Sequence, residues 1–401
     1  MSERRIRVVY YSRPCFLESS LHFVRALSSL AEVHFVLEVA PENWMTAGFD
    51  VARQELPDGL SPAAGIFERY FPRPAWDFWR SCAGFWLAVH NSRQSLSIRT
   101  WNTSRKVVAA IRAMRPDVVH LDDRSFRLSL GLSGFGRIPV VMNMHDPVPH
   151  SGEEGDWRSR LNDMLALRQV SHYVVFSEFT RELFMKNFAE DPSHVSILRF
   201  GSLDLIRTAL PEGVAEEPRT VLFLGRISPY KGVANLLRAA AIVAAKESNV
   251  RFVIAGKPID GMAMPRIPSL GNGCTVTLLD RYVKNAEAAA LLQRSSMLVC
   301  PYLDATQSAV LLPAYGSDRP VIASSVGAMP EYLWDGQTGI LVPPGDDAAL
   351  AEAIVSLLRD EPRRTGMKRA IERMKKDVLS WEGAAEGAMK IYRSFPGLGL
   401  G

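Results

Sequence analysis

A chain of 401 residues with 47% hydrophobic and 22% charged side chains is ordinary globular material, long enough for two cores of typical domain size. Its net charge of +4 is too small to point to nucleic acid, and no apolar run approaches the roughly 18 residues of a membrane-spanning helix. The opening MSERRIRVVYYS holds only a strand-length apolar run where a signal peptide needs a longer one, which predicts a cytoplasmic protein. Cys15, Cys82, Cys274 and Cys300 show neither CxxC nor metal-ligand spacing, so buried reduced thiols and no metal are expected.

In chain order, strand-like runs at 5–12, 33–39, 118–121, 139–144, 173–176 and 195–198 alternate with helical stretches at 17–29, 105–114, 157–170 and 178–188. Such alternation predicts a parallel, doubly wound sheet. Open parallel sheets bind ligands at the carboxyl ends of their strands, so the loops after strands hold the candidate site residues. One of them, MNMHDPVPHSGEE, places His145 and Asp146 directly after a buried strand. A lone histidine there is either a satisfied structural residue or a site residue. His120 and Asp122, after the preceding strand, are assigned mainly to packing and loop hydrogen bonds.

The segment 69–106 carries seven basic residues (Arg69, Arg73, Arg80, Arg93, Arg99, Arg105, Lys106) against one acid, Asp77, with aromatic residues interleaved. Trp79, Cys82, Trp86 and Val89 recur at helical spacing. Two readings stand: a helix docking its aromatic stripe into the N-terminal core, or a peripheral surface for the anionic inner face of the cytoplasmic membrane.

After a polar stretch at 211–218 the alternation resumes, with strands at 220–224, 251–255, 276–279, 297–300 and 320–323 and helices at 233–246 and 287–294. The chain therefore reads as two Rossmann-like halves, with the linker between 200 and 218. Within the second half the stretch VLFLGRISPYKG, 221–232, reads as a buried strand, a βα turn at Gly225, and a loop that presents Arg226 and Lys231. A helix starting near Gly232 aims its backbone N–H groups at the same spot, and two cations at a strand's end suit a diphosphate. The plain alternative is a pair of solvated surface cations.

Further along, PYLDATQSAVLLPAYGSDRPVIASSVGAMPEYLWDGQTGILVPPGD spans 301–346. With the strand-Gly-Arg-x4-Lys-Gly stretch it resembles the family 4 retaining glycosyltransferases of the GT-B architecture, through Pro320 to Ala323, Val326, Gly327, Pro330, Glu331, Asp335, Gly336, Thr338, Gly339, Leu341, Val342, Pro344 and Asp346. The resemblance is strong over about 220–359 and weaker elsewhere. It implies an α/β protein of two Rossmann-like, doubly wound parallel-sheet domains facing across a cleft: an acceptor-side domain, 1–203, completed by a C-terminal helix at 380–401, and a donor-binding domain, 204–379.

The same resemblance implies transfer of a sugar from a nucleotide-diphosphate-sugar to a glycan or lipid-linked acceptor, with no cofactor and no metal required. Arg226 and Lys231 would stabilise the departing diphosphate, His145 would lie near the sugar, and the leaving phosphate itself would take the acceptor's proton. Gly225, Arg281, Tyr282, Asp304, Thr306, Gln307, Ser308 and Glu331 complete the expected donor site. Arg281 and Tyr282 would border the base. Glu331 would contact the donor or act as a charge at a helix start.

The family's paired glutamates are replaced by Ala305 and Pro313, and the loop 304–308 resembles a subgroup with an ATQSG sequence there. Thr306, Gln307 and Ser308 offer hydrogen bonds to phosphate or sugar oxygens, with a purely structural polar loop as the alternative. The loop Ser12-Arg13-Pro14-Cys15-Phe16 replaces the family's glycine pair, so no acceptor contact carries over. The lost carboxylates keep a second class of function open, a non-catalytic GT-B subunit binding a nucleotide or a partner glycosyltransferase. A third, an NAD-dependent dehydrogenase, lacks any GxGxxG after the first strand.

Overall fold

The computed structural model describes residues 4–44, 51–148, 157–188, 190–210, 213–259, 261–306 and 310–399. The chain divides into two compact units, the first running to Gly201 and resuming at Ser380, the second covering Ser202–Leu379.

The first unit is built on eight strands: β1 (Arg7–Ser12), β2 (Glu32–Val39), β3 (Gly59–Pro62), β4 (Gly84–Val89), β5 (Val118–Asp122), β6 (Val140–Asn143), β7 (His172–Val175) and β8 (Val195–Ile197). Their order is β3-β4-β2-β1-β5-β6-β7-β8, and every pairing is parallel except β3 with β4. β5, β6 and β7 are buried throughout, and β1 in all but its first residue. That burial on both faces explains why they read as continuous apolar runs rather than alternating ones.

The aromatic stripe of 69–106 is not one helix. Asp77–Arg80 is a single helical turn, and 84–89 is the strand β4, paired with β2 from His34↔Gly84 to Val39↔Val89. A period of two puts Gly84 and Trp86 on one face of β4, and the Trp86 indole lies over Gly84, where a Cβ would meet Nε1 at 2.6 Å. Trp79 is 2% exposed and packs with Phe67, Phe71 and Phe85. The core reading of Trp79 therefore stands, although the element carrying the stripe is different. A long apolar run suits a strand buried on both faces as well as a helix, and periodicity alone does not separate the two.

The second unit holds β9 (Thr220–Leu224), β10 (Arg251–Ala255), β11 (Thr275–Leu279), β12 (Met297–Cys300), β13 (Val321–Ser324) and β14 (Gly339–Val342), all parallel in the order β11-β10-β9-β12-β13-β14. β9 is central, so the loop after it lies in the middle of the sheet's carboxyl edge. Helices Asp347–Arg359 and Glu361–Asp377 follow, started by Asp346 and Asp360, whose carboxylates accept from the backbone N–H of Ala349 (2.9 Å) and Arg363 (2.8 Å). The last helix, Trp381–Arg393, belongs to the first unit, where Trp381 stacks on His22 and the Tyr392 hydroxyl lies 2.5 Å from His120 Nδ1. All four cysteines are free. Cys274 and Cys300 are buried as expected, but Cys15 is exposed and Cys82 half-buried.

Candidate active site

In the second unit β9 ends at Leu224, and Gly225 turns the chain with φ +133°. Arg226 is exposed and Lys231 is only 9% exposed. No carboxylate among the described residues pairs with the Lys231 ammonium, which lies 5.1 Å from the Tyr302 ring centre. Burial lowers its pKa to about 8; the nearby Cys300 thiol opposes the shift and the Arg226 charge adds to it. The Cys300 thiol is itself pushed up to about 12 by burial.

Gly232 sits at φ +67°, and a Cβ there would overlap the Pro301 carbonyl oxygen, so the loop closes against the end of β12 only with glycine. Helix Val233–Lys246 begins at once, with no side-chain cap at its N-terminus. Ser228, in the same loop, is buried, and its hydroxyl has no hydrogen-bond partner among the described residues. The sequence reading did not single it out, because a serine in a loop carries no signal until its burial is known. Together the loop offers one buried cation, one exposed cation, a spare hydroxyl and a helix N-terminus, the donor set an oxyanion needs.

The other expected donor residues are more scattered. Asp304 is exposed and Thr306 is buried, with the Thr306 carbonyl accepting from Ala328 N–H at 3.3 Å. Gln307 and Ser308 lie outside the described residues. Ala305, at the first lost glutamate, is buried with its carbonyl against Gly327, where φ is +53° and any Cβ would overlap it. Pro313, at the second, stands in the first turn of helix Leu311–Gly316. Glu331 is in the single turn Met329–Tyr332 and half-buried. Tyr282 is exposed, and Arg281 is engaged by Glu287 through two hydrogen bonds of 2.7 and 2.6 Å on the surface. That pair had not been expected.

In the first unit the carboxyl edge gathers around Asp122, the last residue of β5. Its buried carboxylate accepts from Ser20 Oγ (2.7 Å), Ser12 Oγ (3.0 Å) and Asn143 Nδ2 (3.0 Å), and it lies 2.6 Å from His145 Nε2. Burial alone would raise the Asp122 pKa, but the charge and hydrogen bond of His145, with Asn143 and Ser20, hold it well below the usual carboxylate range. His145 is 8% exposed, and Phe16 stacks on its ring at 3.8 Å between centres, with Phe176 and Phe200 tilted nearby. Arg13 extends over Phe16 and pairs with Asp123 at 2.9 Å. The loop that replaces the family's glycine pair thus covers the histidine. Asp122 holds His145 as well as packing, a role that sequence spacing did not reveal.

Among the described residues no group of three or more His, Cys, Asp or Glu side chains could hold a metal ion, and no helix is long and apolar enough to cross a membrane.

Comparison with known proteins agrees with this frame. The model of the Glycosyl transferases group 1 matches residues 218–360, and that of Glycosyltransferase Family 4 matches residues 21–201. A Mycolicibacterium smegmatis phosphatidyl-myo-inositol mannosyltransferase is 28% identical over 74% of this chain and 76% of its own length. A Rhodococcus opacus D-inositol 3-phosphate glycosyltransferase is also 28% identical, over 57% of this chain and 56% of its own. Among solved structures, Anabaena HepE in complex with UDP and glucose superposes with a TM-score of 0.67 at 16% identity, covering 97% of this chain and 100% of that one. Two parallel-sheet α/β units, a group 1 model on the second and a family 4 model on the first make this chain a member of the family 4 glycosyltransferases with the GT-B fold.

Proposed function

We propose that this protein transfers a sugar from a nucleotide-diphosphate-sugar, with retention of configuration, to an acceptor used in glycolipid or glycan assembly. The observation that carries the reading is the buried Lys231 ammonium: charge at that depth is costly without a counter-ion, and a diphosphate at the head of helix Val233–Lys246 would supply one. Arg226 and the Ser228 hydroxyl would add contacts to the same oxygens. As the sugar–phosphate bond breaks, charge grows on the leaving oxygen, and preorganised cations stabilise that state more than the ground state. The leaving phosphate would take the acceptor's proton, so the scheme needs neither a protein nucleophile nor a metal.

His145 would meet the sugar, and Asp304, Thr306, Gln307, Ser308 and Glu331 would hold the donor. Arg281, tied to Glu287, would act at the base only by leaving that pair, which makes Tyr282 the better contact. The named relatives support an acceptor with an inositol or other polyol headgroup.

A peripheral position on an anionic membrane belongs to the same proposal, but not through Trp79. The exposed surface that fits lies along the first half of helix Ile98–Ala113, where Ile98 is 71% exposed, Leu96 and Trp101 are also exposed, and Arg105 and Lys106 face no acid of their own helix; Arg99 is paired with Asp58 at 2.8 Å.

The deciding experiment is a screen of purified protein for sugar release and transfer across nucleotide sugars. Turnover with one donor supports the enzyme. Nucleotide binding without turnover of any donor favours the non-catalytic subunit, the reading that the replacement of both glutamates by Ala305 and Pro313 keeps open.

A further inference from the structure

The hydrogen bonds around Asp122 form a chain whose donor directions are forced. Asn143 Nδ2 faces the Asp122 carboxylate at 3.0 Å and must donate, which leaves Asn143 Oδ1 as the atom 2.8 Å from His120 Nε2. That oxygen only accepts, so His120 carries its proton on Nε2, and its Nδ1 accepts from the Tyr392 hydroxyl at 2.5 Å. His120 is fully buried, and burial lowers its pKa to about 4, so it holds a single proton near neutral pH. The chain runs from Tyr392 on the last helix through His120, Asn143 and Asp122 to His145 Nε2, and all five residues lie in the first unit.

We propose that Asp122 is a positioning residue that keeps a proton of His145 on Nε2, so that in the neutral ring Nδ1 is the lone-pair acceptor for a substrate hydroxyl. The inference rests on the glycosyltransferase reading for its consequence in catalysis and on geometry alone for the tautomer. Asp122 has the means: its four hydrogen bonds hold the carboxylate in one orientation, and the stacked Phe16 ring holds the imidazole plane. A histidine whose other nitrogen is anchored to a carboxylate has its ring orientation and basicity set by that partner. Reversal of the tautomer would put a proton where the substrate hydroxyl's own proton must go.

The test is long-range 1H–15N correlation on the histidines of the full chain across a pH titration, with His145 assigned from the His145→Gln spectrum. The expected result is that the ring, once neutral, carries its proton on Nε2. A neutral ring protonated on Nδ1, or a ring that keeps both protons up to about pH 9, overturns the proposal. In Asp122→Asn the Ser12 and Ser20 hydroxyls can turn to accept from an amide nitrogen at the Oδ2 position, while the amide oxygen still accepts from Asn143 and from His145 Nε2, so the fold should survive with an unchanged melting temperature and the His145 ring loses only the carboxylate charge that sets its basicity.

With a donor found active for the wild type, kcat for transfer in Asp122→Asn should fall at least about tenfold while nucleoside diphosphate affinity stays the same. An unchanged kcat, or equal losses of kcat and nucleotide affinity, also overturns it. Asp122→Glu, which keeps the charge but displaces it, provides a second variant if the amide destabilises the fold; its His145 spectrum should show a mixed tautomer, and an unaltered spectrum counts against the proposal. If no nucleotide sugar is turned over, the spectrum still decides the tautomer, and the failure falls on the activity reading alone.

Discussion

Lys231→Met removes the charge from the loop after β9 while keeping the length of the side chain. A pKa moved from 10.5 to about 8 means that the folded protein pays about 3 kcal/mol to hold that ammonium below pH 8. The sign follows from proton binding: between pH 8 and 10.5 the unfolded chain keeps the proton and the folded chain has released it, so stability rises with pH across that window. The ligand-free Lys231→Met protein should therefore be more stable than wild type at pH 7, by up to about 3 kcal/mol, and should lose the rise in stability above pH 8.

Nucleotide affinity should move the other way. A bound diphosphate restores the ammonium, so wild-type affinity should fall with pH above about 8, by up to tenfold per pH unit, and the variant should bind at least about a hundredfold more weakly at pH 7 without that slope. Denaturant titrations of the ligand-free proteins and calorimetric titration with UDP or GDP at pH 7, 8 and 9 measure both. A wild-type affinity that is flat from pH 7 to 9, or a variant that binds as well as wild type, refutes the assignment of Lys231 to a diphosphate.

Arg226→Ala should reduce transfer at least about a hundredfold with an unchanged melting temperature, since the residue is exposed and its role lies with the leaving group; full activity would remove it from the site. His145→Ala should damage turnover more than nucleoside diphosphate affinity, and equal loss of both would mark a structural histidine. Trp79→Ala should cost about 3–5 kcal/mol in denaturant unfolding, whereas Trp79→Phe should cost little, because the indole N–H is buried without a partner; equal tolerance of both would contradict the core packing. Flotation with anionic vesicles should be salt-sensitive and should weaken when Ile98, Trp101 and Arg105 are replaced together, with each basic residue near the surface contributing about 1 kcal/mol; a protein that never floats would reject the membrane proposal.

The sequence alone determined the α/β class, because short apolar runs bounded by turn residues alternate with longer amphipathic stretches, and β9, β10, β12 and helix Val233–Lys246 fall where that pattern places them. It also marked Arg226 and Lys231, since a glycine-bounded βα loop with two cations is a local arrangement. Three features were decided only by tertiary structure. The run 84–89 became a strand because β2 offered it an edge to pair with, a choice its own apolar residues do not encode. Lys231 gained its lowered pKa from burial beside Cys300 at the end of β12, and Ser228 its spare hydroxyl from burial of its loop, both set by residues far apart in the chain. Asp122 acquired His145 because β5 and β6 lie side by side, and the last helix, returning from the chain's far end, brought Tyr392 to His120. Sequence spacing reports what neighbours along the chain share, whereas pKa, hydrogen-bond direction and exposure belong to groups that only folding brings together.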